Sequence, residues 1–273
     1  MILTLSPSGL NNLQECPTKY NFSNLRRLQL VEAKTTRMDE GSLIHSMLEL
    51  HYNSIIEGKS IQEIILEVTE YAREKYRNDE YEFAIVEDCI RNYQEYAVYY
   101  ESDGWKPKAA EVPFSKIIYE DGNHKIVMEG IIDLITENLN SQSFPVDHKS
   151  VVKRDQYPTI LSNQFKCYAW ATESFVLVKN DIGFQKTLWP GERFQRHILN
   201  YTKEMLEEWR ENVIYHGLEL IHFIEKDYFP RRESACWKCW YKQICESTPD
   251  AREYKIGSKY KIGDPHDIYG KRS

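Results

Sequence analysis

Apolar and polar positions follow two periods along this chain. At helical spacing, Leu10, Leu13 and Cys16 share one face of a segment that Ser6 caps and Pro7 opens. Leu43, Ile44, Met47, Leu48, Tyr52 and Ile55 make a broad stripe that predicts a helix over Gly41–Ile56. The same period predicts helices over 61–76 and 83–100, the second rich in tyrosine (Tyr93, Tyr96, Tyr99, Tyr100). Two more are expected over 159–178 and 202–224. Strand-like stretches lie between them. Ala109–Tyr119 runs into a turn at Glu120–Asn123, and His124–Ile135 returns from it. A polar loop from Glu137 to Ser143 then leads through Phe144, Pro145 and Val146 into another strand. Ile182–Trp189 and Phe194–Leu199 read as a final hairpin around Pro190-Gly191. Beyond residue 249 the chain is short of apolar residues and holds Tyr-Lys-Ile-Gly twice, at 254–257 and 260–263. Two copies of four residues make no repeat architecture, so 250–273 is expected as an extended arm.

The pair of strands around the loop at 137–143 carries the first candidate chemistry. Asp133 interrupts the apolar run of the first, and Asp147 interrupts that of the second. Lys149 follows Asp147 by two, so the two project from one face of the strand. If the strands pair, Asp133 lies beside them. Two carboxylates and an ammonium on one face suit a divalent cation and an anion or water held at it. A solvated ion pair on a surface hairpin accounts for D-x-K equally well, and the rest of the chain decides between them. His45 lies four residues after Gly41 on the predicted helix, where a hydrogen-bonded core histidine is the plain reading. Gln164 and Tyr168 share a helix face.

Composition narrows the classes. In 273 residues with 41% hydrophobic content, no apolar run approaches twenty, which argues for a soluble protein with no membrane span. The first residues have neither a basic n-region nor a long apolar core, so a secretory signal is not expected and a cytoplasmic setting is. The net charge of −7 excludes a uniformly basic nucleic-acid coat. It is unevenly spread, at −10 over residues 1–140 and +3 over 141–273, so a polyanion would be steered by local basic positions. Lys153, Arg154, Arg193, Arg196, Arg231 and Arg232 are candidate phosphate contacts, with Trp189 or Trp237 for stacking.

Six cysteines without a signal point to metal or cluster binding before disulfides. Cys236-Trp-Lys-Cys239 followed by Cys245 gives C-x2-C-x5-C, and 219 residues separate Cys16 from it. Cys89 and Cys167 sit within predicted helices and are expected as buried thiols. The four others suit zinc or an iron–sulfur cluster on chemistry alone, and either would tie residue 16 to 236–245.

In this order the motifs resemble the RecB-like branch of the PD-(D/E)XK nucleases. They are most similar to the cluster-containing exonucleases of CRISPR adaptation, their phage-encoded relatives and the AddB nuclease domain. The series runs C-P-x-K-Y at Cys16–Tyr20, G-x-x-x-H at Gly41–His45 and G-x-x-D at Gly130–Asp133. It continues with D-x-K at Asp147–Lys149, Q-x-x-x-Y at Gln164–Tyr168 and the three late cysteines.

The resemblance implies an α/β (α+β) restriction-endonuclease-like core with a central mixed sheet flanked by helices. One domain would span 1–249, with a helical insertion at about 57–104 and cluster segments at 16–20 and 236–245. It further implies that His45, Asp133, Asp147 and the backbone carbonyl of His148 bind Mn2+ or Mg2+. Lys149 would position or deprotonate the attacking water, with Gln164 and Tyr168 orienting it. Cys16, Cys236, Cys239 and Cys245 would hold a 4Fe–4S cluster, zinc being the alternative. Asp147 departs from the glutamate usual in the family. Glu49 and Glu111 are expected in structural salt bridges before any second-metal role. The implied activity is a DNA exonuclease acting on single strands or ends, in recombination, repair, replication or CRISPR adaptation. Proteins of recombination or adaptation complexes are the implied partners, with room for a homo-oligomer. A non-catalytic DNA-end-binding adaptor is the competing function.

Overall fold

The computed structural model describes residues 1–31, 36–75, 83–151 and 159–264, with the side chains of 36–39 outside that description. The chain opens with β1 (Ile2–Leu5), and Ser6 then caps α1 (Pro7–Glu15). The Ser6 hydroxyl accepts the Gly9 N–H at 3.1 Å, and Pro7 occupies the first turn. Next come α2 (Pro17–Tyr20), a π-helical stretch over Asn21–Leu25, β2 (Leu28–Leu30) and α3 (Thr36–Ile56). Two further helices, α4 (Ile61–Lys75) and α5 (Phe83–Tyr99), precede β3 (Lys106–Glu120) and β4 (Lys125–Glu137). In the turn between those strands the Asp121 carboxylate accepts the N–H groups of Asn123 and His124, at 2.7 and 2.6 Å. The succession continues with β5 (Ser143–Val151), α6 (Asn163–Thr172), β6 (Val176–Gly183), α7 (Pro190–Arg193), β7 (Phe194–Asn200) and α8 (Lys203–Glu225). A 3-10 turn at Glu233–Lys238, α9 (Lys242–Cys245), α10 (Pro249–Lys259) and β8 (Tyr260–Ile262) complete it.

These elements make two compact units, each assembled from separate stretches of chain. The first unit is Met1–Lys34, Pro113–Gly130 and Glu204–Ser273. In it β1 pairs in parallel with the opening of β4, Ile2 opposite Lys125 through Leu5 opposite Met128. A small antiparallel ribbon joins β2 to β8. Phe22, Leu28, Tyr241, Ile244, Ile256 and Tyr260 form a core there.

The second unit is Thr35–Val112 and Ile131–Lys203. Its strands form a mixed ladder: β4 antiparallel to β5, β5 parallel to β6, β6 antiparallel to β7. α6 packs on β5 and β6, and α3 packs on β5 as well as on α4 and α5. Leu43, Met47, Tyr93, Tyr96, Leu134, Val146 and Phe194 lie among the fully or nearly fully buried members of its core. The expected α/β class, a mixed sheet flanked by helices, is what forms.

Three stretches depart from the sequence reading. The helix expected to reach residue 178 ends at Thr172, because Glu173 takes a left-handed conformation (φ 56°) and the β-branched run Val176–Ile182 becomes β6. The first residues, given no element, form β1. The arm expected from residue 250 is α10 and β8 as far as residue 262. Ile256 and Tyr260, four apart in the two Tyr-Lys-Ile-Gly copies, supply buried core positions.

Candidate metal and D-x-K site

Three donors from three elements of the second unit converge. His45 comes from α3, Glu111 from β3 and Asp133 from β4, and one donor atom of each lies within 4.8 Å of the other two. His45 Nδ1 stands 3.6 Å from Asp133 Oδ1, within ion-pair range but too far to hydrogen-bond, and it is buried with no hydrogen-bond partner. Glu111 holds a positive φ of 48°, a conformation that strains a residue with a Cβ by roughly 1–3 kcal/mol and that gathers at functional sites. One imidazole nitrogen and two carboxylates form a donor set suited to a divalent cation.

The strand pairing carries this group to the D-x-K. Leu134 faces Val146, so Asp133 and Asp147 are the next step along the hairpin. The His148 backbone N–H donates to Asp133 Oδ2 at 2.7 Å. Lys149 Nζ donates to Asp147 Oδ1 at 3.1 Å and lies 2.8 Å from Oδ2. The same ammonium donates to Gln164 Oε1 at 3.0 Å, and Gln164 Nε2 donates to the Tyr168 hydroxyl at 3.0 Å. Helical spacing on α6 therefore places two side chains in series behind the lysine.

Charge and burial oppose each other here. Burial works to raise the Asp133 carboxyl, yet the His45 imidazole and the His148 backbone N–H outweigh it and hold it below the usual range. Asp147, fully buried, goes the other way: burial and the Asp133 charge raise it against the pull of Lys149. Burial works to lower His45, but Asp133, Asp147 and Glu111 raise it. The Asp133 charge thus opposes ionisation of Asp147, an opposition that a cation bound between them would relieve.

His148 is buried and tied down. Asn180 Nδ2 donates to its Nδ1 and to the Tyr96 hydroxyl, both at 2.8 Å, and the Tyr52 ring stacks parallel to the imidazole at 5.5 Å. With Nδ1 accepting, the ring is neutral with its proton on Nε2, and burial pushes its pKa down to about 3. Sequence reasoning also passed over Lys179 and Asp181. They stand in register with Asp147 and Lys149, and Asp181 lies 3.2 Å from both Lys179 Nζ and His197 Nε2. A lysine and an aspartate two apart, flanking Asn180 between the apolar ends of β6, were the available signal.

All the D-x-K and metal candidates therefore belong to the second unit, and the cysteine candidates belong to the first. Cys16 is buried and Cys236, Cys239 and Cys245 are half-buried, all with free thiols. Cys239 and Cys245 are raised chiefly by burial, and both also feel the charges of Cys16 and Cys236. Arg232 links two of them: its N–H donates to Cys16 Sγ at 3.4 Å, and the Cys236 thiol donates to its carbonyl at 3.9 Å. Cys89 and Cys167 are fully buried, as expected.

The phosphate-contact candidates fare unevenly. Arg193 is buried against Glu95 and Asn92. Arg196 pairs with Asp103 at 2.6 Å, 3.6 and 3.4 Å from the ring centroids of Tyr100 and Trp105. Both are packing cations, a role that their interleaving with aromatics in sequence could not separate from DNA contact. Arg231 and Arg232 bond the backbone carbonyls of Cys245 and Gln14. Trp189 and Trp237 are exposed. Lys153 and Arg154 lie outside the described residues.

A mixed sheet bearing paired carboxylates, a histidine and a D-x-K lysine defines a class of metal-using phosphodiesterase folds. The family model of the PD-(D/E)XK nuclease superfamily matches residues 4–246, and the chain belongs to that superfamily. Its members are nucleases that use divalent metals, with DNA as the substrate class. The solved structure of SSO0001 is similar at 15% identity and a TM-score of 0.43, over 89% of this chain and 85% of that one. No curated protein matches. Among the described residues no helix is long and apolar enough to cross a membrane.

Proposed function

We propose that the second unit is a Mn2+- or Mg2+-dependent deoxyribonuclease that acts as an exonuclease on single-stranded DNA or DNA ends. Recombination, repair, replication or CRISPR adaptation is its setting, in the cytoplasm. The observation that carries this reading is the convergence of His45, Glu111, Asp133, Asp147 and Lys149 within one unit. His45, Asp133, Asp147 and the carbonyl of His148 would hold the cation, with Glu111 as a further donor. The buried, unpartnered Nδ1 of His45 fits that assignment. A bound cation supplies Lewis acidity toward phosphoryl oxygen and readies water at neutral pH. Lys149 presents its ammonium to the attacking water and the phosphoryl oxygens. Gln164 and Tyr168 keep it from swinging away, and the His148 N–H fixes the Asp133 carboxylate.

Cys16, Cys236, Cys239 and Cys245 are read as holders of a structural 4Fe–4S cluster. Their free thiols, drawn from residue 16 and residues 236–245, fit a polynuclear group. Zinc is the competing occupant, and a brown, anaerobically prepared protein decides for iron.

Digestion of 5′- and 3′-labelled single strands and of circular DNA tests the function. Cutting is expected from ends, and more strongly in Mn2+ than in Mg2+ because an imidazole softens the site. Equal rates in both metals count against His45. Binding of ends with no cutting in either metal establishes the adaptor alternative.

A further inference from the structure

The second unit contains a cavity that the metal site does not use. α3, the corner into α4, the end of α5 and the start of β3 line about 380 Å3, within the roughly 300–1,000 Å3 usual for small-molecule sites. Tyr52, Tyr100 and Trp105 give it aromatic walls, and Ser60, Gln62 and Glu101 give it polar edges. Tyr52 is the link to the chemistry. Its ring stacks on His148, whose backbone N–H holds Asp133, so two stacked rings separate the cavity from a candidate metal ligand.

The charges around the cavity discriminate among ligands. Lys59 is already held by Glu57 and Glu67, at 3.0 and 2.7 Å. Arg196 is balanced by Asp103, and Glu101 adds a carboxylate. A phosphate would meet spent cations and two acids. An uncharged planar ring with hydrogen-bonding edges meets polar partners and aromatic walls, of which Arg196 covers one face of Tyr100 and of Trp105 and His148 one face of Tyr52. Within a nuclease, such a ring is a base of the strand.

We propose that this cavity receives one unpaired nucleobase of the DNA strand and leaves its sugar-phosphate outside. This rests on the nuclease reading above and gives the helical insertion a role in substrate choice: single strands offer a free base, duplexes do not.

Calorimetry on the full chain in EDTA tests the site without catalysis. Deoxynucleosides and deoxynucleoside monophosphates are expected to bind saturably, and 2-deoxyribose 5-phosphate is not. Trp105→Ala should weaken nucleoside binding by about tenfold, as loss of a stacking face does. Gln62→Trp fills the cavity from an exposed rim position and should abolish binding with melting unchanged. No nucleoside binding by the wild-type protein, or equal binding by Gln62→Trp, overturns the proposal. Equal binding of the sugar-phosphate does the same. A single abasic nucleotide walked along a labelled strand should depress Mn2+-dependent cutting at one distance from the cleaved bond, and a flat profile refutes the site. Nucleoside binding without cutting would spare the cavity and remove the nuclease function.

Discussion

In the second unit a carboxylate, Asp147, is shut away from solvent beside an ammonium two residues along its own strand. In the first, Cys16 lies between α1 and α2 while Cys236, Cys239 and Cys245 follow 220 residues later, along a 3-10 turn and α9. One centre is buried charge that the sheet already orders. The other is a group of half-exposed ligands that a bound ion or cluster would order. Taking a carboxylate out of water opposes folding, and the ammonium of Lys149 offsets part of that cost at Asp147. A cross-link between distant residues does the reverse, since it removes freedom from the unfolded chain. The two centres should therefore differ in what mutation costs most, stability at the cysteines and cutting at Lys149.

The largest effect is expected at the cysteines. Cys236→Ala should destabilise the chain by up to about 5 kcal/mol, the upper range for closing so long a loop. Visible absorption should fall with it. Urea unfolding read alongside absorption checks this, and full stability with absorption lost would leave the cysteines without a structural role. Next comes Lys149→Ala, expected to lower cutting by about 10^3-fold, the scale for removing one preorganised electrostatic group. Its melting temperature should fall as well, because the buried Asp147 loses the ammonium that offsets its charge. Normal cutting by this variant would displace the D-x-K from the mechanism.

The same contrast explains what could be read from sequence. The D-x-K centre was legible because strand alternation and helix periodicity are local rules. They put Asp147 and Lys149 on one face and Gln164 with Tyr168 on another, and the structure joins the two through one ammonium. Glu111 was under-read because its approach depends on a positive φ in β3 that no pattern announces. Lys179 and Asp181 were missed because the helix expected to reach 178 concealed the start of β6. The interleaving of two units was not legible at all. β3 and β4 are each continuous strands divided between units, and residue periodicity carries no mark of that division.

pH gives a third test, smaller than the first two. His51 is buried against the Tyr93 hydroxyl at 3.0 Å, and burial, with Arg196 nearby, pushes its pKa down to about 4. The folded state therefore resists protonation that the unfolded chain accepts near 6.5. The stability this supplies is complete above pH 6.5 and is lost as pH falls toward 4, by at most about 3 kcal/mol at 1.36 kcal/mol per unit. Urea unfolding at pH 7 and pH 5 in Cys236→Ala keeps the cysteine centre out of the comparison. His51→Gln, uncharged at both pH values, should reduce the difference by the share of His51 while His148 keeps its own, and an unchanged pH slope would move the cause away from His51.

The smallest effect is reserved for Glu111, and it decides how far the metal centre extends. Asp133 is fixed by the His148 N–H and Asp147 by Lys149, so their carboxylates are positioned before any cation arrives. Glu111 reaches the same space from a strained turn of β3 and pushes His45 upward together with the two aspartates. If it donates to the cation, Glu111→Gln should weaken Mn2+ binding by about 10–100-fold, the range for a supporting group. Cutting at saturating Mn2+ should be largely restored, because Lys149 and the aspartates are untouched. Titration of Mn2+ by calorimetry measures the first and end-labelled cleavage the second. A loss of cutting that Mn2+ cannot restore would put Glu111 in the reaction itself. Unchanged affinity would return it to the salt-bridge role that its sequence context first suggested, and the strain at φ 48° would then serve only the path of β3.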